Sequence, residues 1–202
     1  MKIVIVDYGS GNLRSVQKGF ERVGVAATIS RDPNIVSEAT HLVVPGVGAF
    51  SDCMKNLDAL DLLKPVREAI DAGKPYLGIC LGLQILFTEG TEFGSHPGLG
   101  VVSGKVIRFP NTALKIPHMG WNQVQIEKEG PILEGISEGA YFYFVHSYFG
   151  LPDETGWVAT TTEYGVRFPS AVSRDRLFAC QFHPEKSQQV GLRLLSNFSR
   201  LK

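Results

Sequence analysis

Residues 75–84 read PYLGICLGLQ, and the parsing of that stretch decides the fold. Pro75–Ile79 is an apolar run of strand length that passes straight into Cys80 and a helical pattern predicted over Leu83–Thr88. Gly78 and Gly82 bracket Cys80, giving the G-x-nucleophile-x-G form of a sharp strand-to-helix turn. Glycines allow the chain to turn where side chains would collide, which thrusts the sulfur out above the strand ends. The positive end of a helix favours negative charge on a sulfur placed there. The Leu81 amide points at the same spot as an oxyanion donor. A buried structural cysteine beside a helix-packing glycine is the bland alternative.

Upstream, strand and helix patterns alternate. Lys2–Val6 is a strand closed by Asp7-Tyr8-Gly9-Ser10-Gly11-Asn12, and an amphipathic stretch follows to about Val23. Ala26–Ile29 is a second strand, and Asp32-Pro33 reads as an N-cap with proline at the first helical position. His41–Val44 is a third strand, closed by Pro45-Gly46-Val47-Gly48. Helical periodicity covers about Ala49–Ala72, broken near Pro65, with Gly73 as a C-cap. This alternation predicts parallel strands with helices on both faces.

Beyond Gly90 the texture becomes β-rich. Val101–Phe109, Trp121–Glu127, Tyr141–Phe149, Trp157–Thr162, Ala171–Ser173 and Leu177–Phe182 are predicted strands, with antiparallel neighbours expected. One amphipathic helix over about Ser187–Leu201 follows. The reading is a single α/β domain over residues 1–202 with a mixed, mostly parallel sheet flanked by helices.

Composition narrows the function. Twenty basic side chains balance twenty acidic ones, giving no electrostatic reason for a nucleic-acid partner. The cysteines Cys53, Cys80 and Cys180 are few, odd in number and without C-x-x-C spacing, so neither a disulfide framework nor a metal site is expected. No apolar run approaches the roughly 18 residues of a membrane span. The N-terminus has no signal-peptide pattern, and a cytoplasmic location is expected.

Phe182-His183-Pro184-Glu185 follows the last predicted strand. A thiol nucleophile needs a base, and an imidazole holds its tautomer best when a carboxylate accepts from its second nitrogen. Two residues along extended chain return a side chain to the same face, so Glu185 suits that task; a solvated loop histidine is the alternative. The Pro45–Gly48 turn is read as an oxyanion strand, with Gly48 joining Leu81, or else as an ordinary βα turn. Losing one oxyanion donor typically costs about 10² to 10³ in rate, so a peptide flip there would switch an enzyme on or off.

These motifs coincide with a known family. Residues 78–84 (GICLGLQ) and 182–187 (FHPEKS) resemble the signatures of triad-type, class I glutamine amidotransferases. Residues 7–12 (DYGSGN), 45–50 (PGVGAF), 117–122 (PHMGWN) and 144–148 (FVHSY) are similar, more narrowly, to the glutaminase subunits of imidazole glycerol phosphate synthases. The resemblance spans essentially the whole chain.

The resemblance implies a flavodoxin-like fold and glutamine hydrolysis by Cys80, His183 and Glu185, without a cofactor. It implies that Gly48, Gln84, Glu92, His146, Ser147 and Tyr148 contact glutamine. It also implies a (β/α)₈-barrel cyclase partner that receives the ammonia, with Asn12, Trp121, Tyr143 and Lys186 facing it. On residue type alone, Asn12 is equally a helix N-cap, Lys186 a solvated charge, and Trp121 and Tyr143 core packing. Competing readings are a glutaminase serving pyridoxal phosphate or anthranilate synthesis, an inactive binding subunit, and a redox-sensing thiol. The intact Cys80, His183 and Glu185 speak against the second. The last needs neither Gln84 nor the residue 182–185 motif, and no resolving cysteine lies near Cys80 in sequence.

Overall fold

The computed structural model describes residues 1–111 and 114–202. In chain order the elements are β1 (Ile3–Val6), α1 (Leu13–Arg22), β2 (Ala27–Ser30), α2 (Pro33–Ser37), β3 (His41–Gly46), α3 (Phe50–Ala59), α4 (Leu63–Asp71) and β4 (Tyr76–Cys80). There follow α5 (Leu81–Gln84), β5 (Phe87–Gly90), β6 (His96–Pro97), β7 (Val102–Arg108), β8 (His118–Gln123) and β9 (Gln125–Ile126). The rest are β10 (Tyr141–His146), β11 (Tyr148–Pro152), β12 (Val158–Glu163), β13 (Arg167–Arg174), β14 (Leu177–Cys180) and α6 (Gln188–Ser199).

The main sheet has eight strands in the order β2-β1-β3-β4-β14-β13-β12-β9. The first five are parallel and the last three turn antiparallel. Alternation along β1 shows why both faces are covered. Ile3 and Ile5 face the cluster containing Val16 and Phe20 of α1 and Leu194, Leu195 and Phe198 of α6. Val4 and Val6 face Val36, Phe50, Leu57 and Val66 of α2, α3 and α4. The expected N-cap forms, with the Asp32 carboxylate accepting from the Asn34 amide at 2.9 Å. Gly73, at φ +67°, follows the end of α4.

Several boundaries depart from the sequence reading. The long helix is two helices, and the break falls at Leu60–Leu62, before Pro65, which α4 tolerates in its first turn. The helix expected over Leu83–Thr88 is a single turn, Leu81–Gln84, followed by strand β5. Its continuation is lost because the carbonyls of Ile85, Leu86 and Phe87 accept from the amides of residues 99–102 instead. The strand expected over Tyr141–Phe149 divides at Ser147, where the chain leaves a two-stranded ribbon (β10-β8) for a four-stranded sheet (β11-β7-β5-β6). The β-rich half therefore holds two small sheets besides the main one.

Candidate active site

The carboxyl ends of β3, β4 and β14 lie side by side, with Gly46 opposite Cys80 and Ile79 opposite Cys180. In open parallel sheets, ligands bind at this end. Cys80 closes β4 with φ 55° and ψ −102°, a strained conformation for a residue with a side chain. Close backbone contact enforces it. A Cβ on Gly82 would collide with the Val44 carbonyl, and one on Gly78 with the Gly82 carbonyl. Tyr76 Oη donates to that same Gly82 carbonyl at 2.8 Å.

His183 sits just beyond β14, and a short turn at Pro184–Lys186 returns Glu185 to it. His183 Nδ1 and Glu185 Oε1 are 2.8 Å apart, with side chains only 2% and 1% exposed. The other nitrogen, Nε2, is buried and has no hydrogen-bond partner among the described residues. Burial disfavours charge on this imidazole, but Cys80 and Glu185 outweigh it and raise the pKa to about 10. Contacts between nucleophile and base commonly tighten once substrate is bound.

A cavity of about 260 Å³ opens beside the sulfur, lined by Val47, Gly48, Cys80, Leu81, Gln84, Glu92, Pro117, Val145, His146, Ser147 and Tyr148. Every residue named from sequence for oxyanion or glutamine contact reaches this one cavity. Gly48 has φ +104°, and the Val47 carbonyl accepts from Ser10 Oγ at 2.6 Å. A trans peptide sets N–H opposite C=O, so that bond also fixes the direction of the Gly48 amide. Glu92 Oε2 accepts from the Phe50 amide at 2.9 Å, tying the cavity wall to the start of α3.

His146 is buried and belongs to a chain of hydrogen bonds. Its Nδ1 lies 2.8 Å from the Tyr148 carbonyl, so that nitrogen carries the proton and Nε2 accepts from His118 Nδ1 at 2.9 Å. His118 Nε2 in turn accepts from Asn122 Nδ2 at 3.2 Å. Both rings are therefore neutral. Burial agrees, lowering His146 to about 3 and His118 to about 4.

Among the residues not named from sequence, two make polar contacts that bear directly on the site. His118 is one. The other is Gln181, fully buried, whose Nε2 donates to Cys80 Sγ at 3.4 Å. It precedes His183 by two positions, so strand alternation along 177–183 was the signal that could have found it. The expected helix-dipole effect on Cys80 shrinks correspondingly, because α5 is one turn long.

The residues named as partner-facing are surface features. Trp121 is 45% exposed and stacks edge-on with Tyr143 at 6.1 Å, and Lys186 Nζ lies 5.6 Å from the Tyr143 ring. Asn12 begins α1, but its side chain makes no capping bond. Neither the core reading of Trp121 nor the side-chain cap at Asn12 holds. Among the described residues, no group of three or more His, Cys, Asp or Glu could hold a metal ion. Among the described residues, no helix is long and apolar enough to cross a membrane.

Comparison with known proteins identifies the family. The model of the class-I glutamine amidotransferase family matches residues 4–200. "Imidazole glycerol phosphate synthase subunit HisH" of Syntrophotalea carbinolica is 55% identical, covering 97% of this chain and 98% of the relative. The protein of the same name from Aquifex aeolicus is 53% identical over 99% and 97%. Among solved structures, a glutamine amidotransferase superposes with TM-score 0.76 at 23% identity over 98% of each chain. PurLQS from Thermotoga maritima gives 0.73 at 17% over 100% of each, a likeness of fold alone. The chain belongs to the class-I glutamine amidotransferase family and groups there with the HisH subunits of imidazole glycerol phosphate synthase.

Proposed function

We propose that this chain, as one glutaminase domain, hydrolyses glutamine at Cys80 and passes the ammonia to a (β/α)₈-barrel cyclase subunit of imidazole glycerol phosphate synthase. The observation that carries the reading is the meeting of Cys80, His183 and Glu185 at two adjoining strand ends, beside a cavity of about 260 Å³. Cys80 attacks the side-chain carboxamide carbon, and the oxygen takes the negative charge opposite the amides of Leu81 and Gly48. His183 then gives its proton to the departing ammonia. Water, deprotonated by His183, cleaves the resulting thioester and releases glutamate. Glu185 holds the imidazole in register and stabilises its charge through both steps. Gln84, Glu92, His146, Ser147 and Tyr148 form the walls that bind the amino-acid end.

Ammonia released into neutral water is protonated and loses its nucleophilicity, so direct delivery has a chemical rationale. Trp121, Tyr143 and Lys186, with exposed Met119 and Tyr141 on the same ribbon face, supply the docking surface, and Asn12 joins it. The complex works in the cytoplasm and yields imidazole glycerol phosphate and aminoimidazole carboxamide ribonucleotide in histidine biosynthesis.

The test is glutamate production by the chain alone and with the cyclase carrying its own ligand. Weak hydrolysis alone, raised strongly by the loaded cyclase, is expected. Equal rates in the two conditions contradict the coupling, and no hydrolysis in either contradicts the glutaminase reading.

A further inference from the structure

We infer that Gln181 is a further catalytic residue, whose side-chain N–H binds the Cys80 sulfur and stabilises its negative charge. The inference rests on the proposed role of Cys80 as nucleophile. The orientation of the amide follows from a single backbone atom. The Tyr148 carbonyl oxygen can only accept, so the Gln84 atom 3.1 Å from it is the amide nitrogen. That nitrogen also lies 3.0 Å from a terminal atom of Gln181, which must then be the oxygen Oε1. The remaining atom, 3.4 Å from Cys80 Sγ, is the Nε2 donor. A flipped Gln181 would set two NH₂ groups against each other.

The anchoring atoms are themselves fixed. His146 Nδ1 donates to the same Tyr148 carbonyl at 2.8 Å, and the Gln181 backbone N–H donates to the Ser170 carbonyl at 2.8 Å. Gln181 is 0% and Gln84 5% exposed, so bulk water does not compete for these bonds. Between them, the side chain of Phe182 points the other way and packs on Phe142 at 4.1 Å. Gln181 and His183 thus approach the sulfur from one strand end.

A neutral thiol is a weak acceptor, whereas a sulfur anion accepts strongly. A fixed N–H donor therefore favours the thiolate before attack. It serves again in the second step. Water oxygen bonds to the acyl carbon, its proton passes to His183, and the C–S bond breaks with both electrons leaving on sulfur. The Gln181 N–H meets that charge as it forms.

Site-resolved alkylation of Cys80 by iodoacetamide across pH tests this without glutamine. Full-length wild type is compared with Q181E, which keeps an acceptor for Gln84 but removes the donor. Q181M removes the donor without adding charge, keeps similar volume, and decides the matter if Q181E does not fold. The alkylation midpoint is expected to rise by roughly one to two pH units in the variants. Glutamine turnover should fall in kcat by about tenfold or more with KM little changed. A wild-type midpoint in Q181M overturns the role of Gln181 while wild-type hydrolysis still supports the glutaminase reading. Absent wild-type hydrolysis removes that reading and leaves the alkylation result to be judged alone.

Discussion

Cys80 and His183, the proposed nucleophile and base, stand at the ends of neighbouring parallel strands, yet opposite means hold them. The Cys80 turn is fixed by contact: φ is +55°, and backbone carbonyls of Val44 and Gly82 occupy the space that side chains at 82 and 78 would need. The His183 turn is relaxed, at φ −107° and ψ 94°, and is fixed by hydrogen bonds. Its amide donates to the Tyr143 carbonyl at 2.9 Å, and its carbonyl accepts from Ser187 Oγ at 2.7 Å. Steric placement tolerates almost no change of shape, whereas hydrogen-bonded placement responds to chemistry and protonation. A strained Cys80 and a hydrogen-bonded His183 suit the proposed two-step acyl transfer.

That contrast can be broken at several points. The largest effect is at the sulfur, where Cys80→Ala removes the only proposed nucleophile. Glutamine hydrolysis should vanish while the cooperative unfolding transition survives, and residual wild-type turnover would refute the assignment. On the base side, Glu185→Gln keeps shape but loses the charge that holds the imidazolium. A fall of about 10³ to 10⁴ in kcat is expected, read by steady-state glutamate release. A change under tenfold would mean that packing alone aims His183.

Gly82→Ala tests the steric half. The new methyl meets the Val44 carbonyl, and a loss of about 3 kcal/mol or more is expected in urea unfolding. Gly48→Ala, where an added Cβ meets open space at φ +104°, should cost only about 1–2 kcal/mol. Equal losses would show that the elbow is looser than its contacts imply.

Titration sharpens the comparison further. His183 is raised to about 10 by Cys80 and Glu185 against the opposing effect of burial. In Cys80→Ala one of those attractions goes and burial stays, so its imidazole NMR titration should move to lower pH. Because the folded value lies above the unfolded one, His183 stabilises fully below about pH 6.5, and this is lost as pH rises towards about 10. His118 and His146 behave oppositely. Their folded values of about 4 and about 3 lie below the unfolded one, so their contribution is present above about pH 6.5 and is lost as pH falls through those values. Thermal stability should therefore fall on both sides, and His118→Asn should flatten the acid side.

How much of this was legible follows the same division. The parallel half was readable because each strand ends in a local signal: Asp32-Pro33 caps α2, Gly73 closes α4, and Gly78 and Gly82 mark the elbow. The meeting of His183 with Glu185 beside the Cys80 strand end was anticipated from residue type and spacing. The short helix after Cys80 was not, since distant amides at 99–102 take its carbonyls. Nor was the break at Ser147, because β10 and β11 pair with different sheets far away in sequence. Gln181 was hidden for a related reason. A glutamine in a strand is unremarkable until a partner 101 residues away in the chain brings a sulfur to its amide.

The central claim is that Cys80, and no other thiol, reacts with glutamine. Burial pushes Cys53 up to about 12 and Cys180 well above its ordinary value, so both stay unreactive thiols near neutral pH. The most direct measurement is mass-resolved labelling by a glutamine analogue that carries an electrophile in place of the carboxamide. The account predicts one adduct per chain, on Cys80, with glutamine protecting against it. Labelling of Cys53 or Cys180 in its place, or an unlabelled Cys80 in a chain that still turns over glutamine, would contradict it.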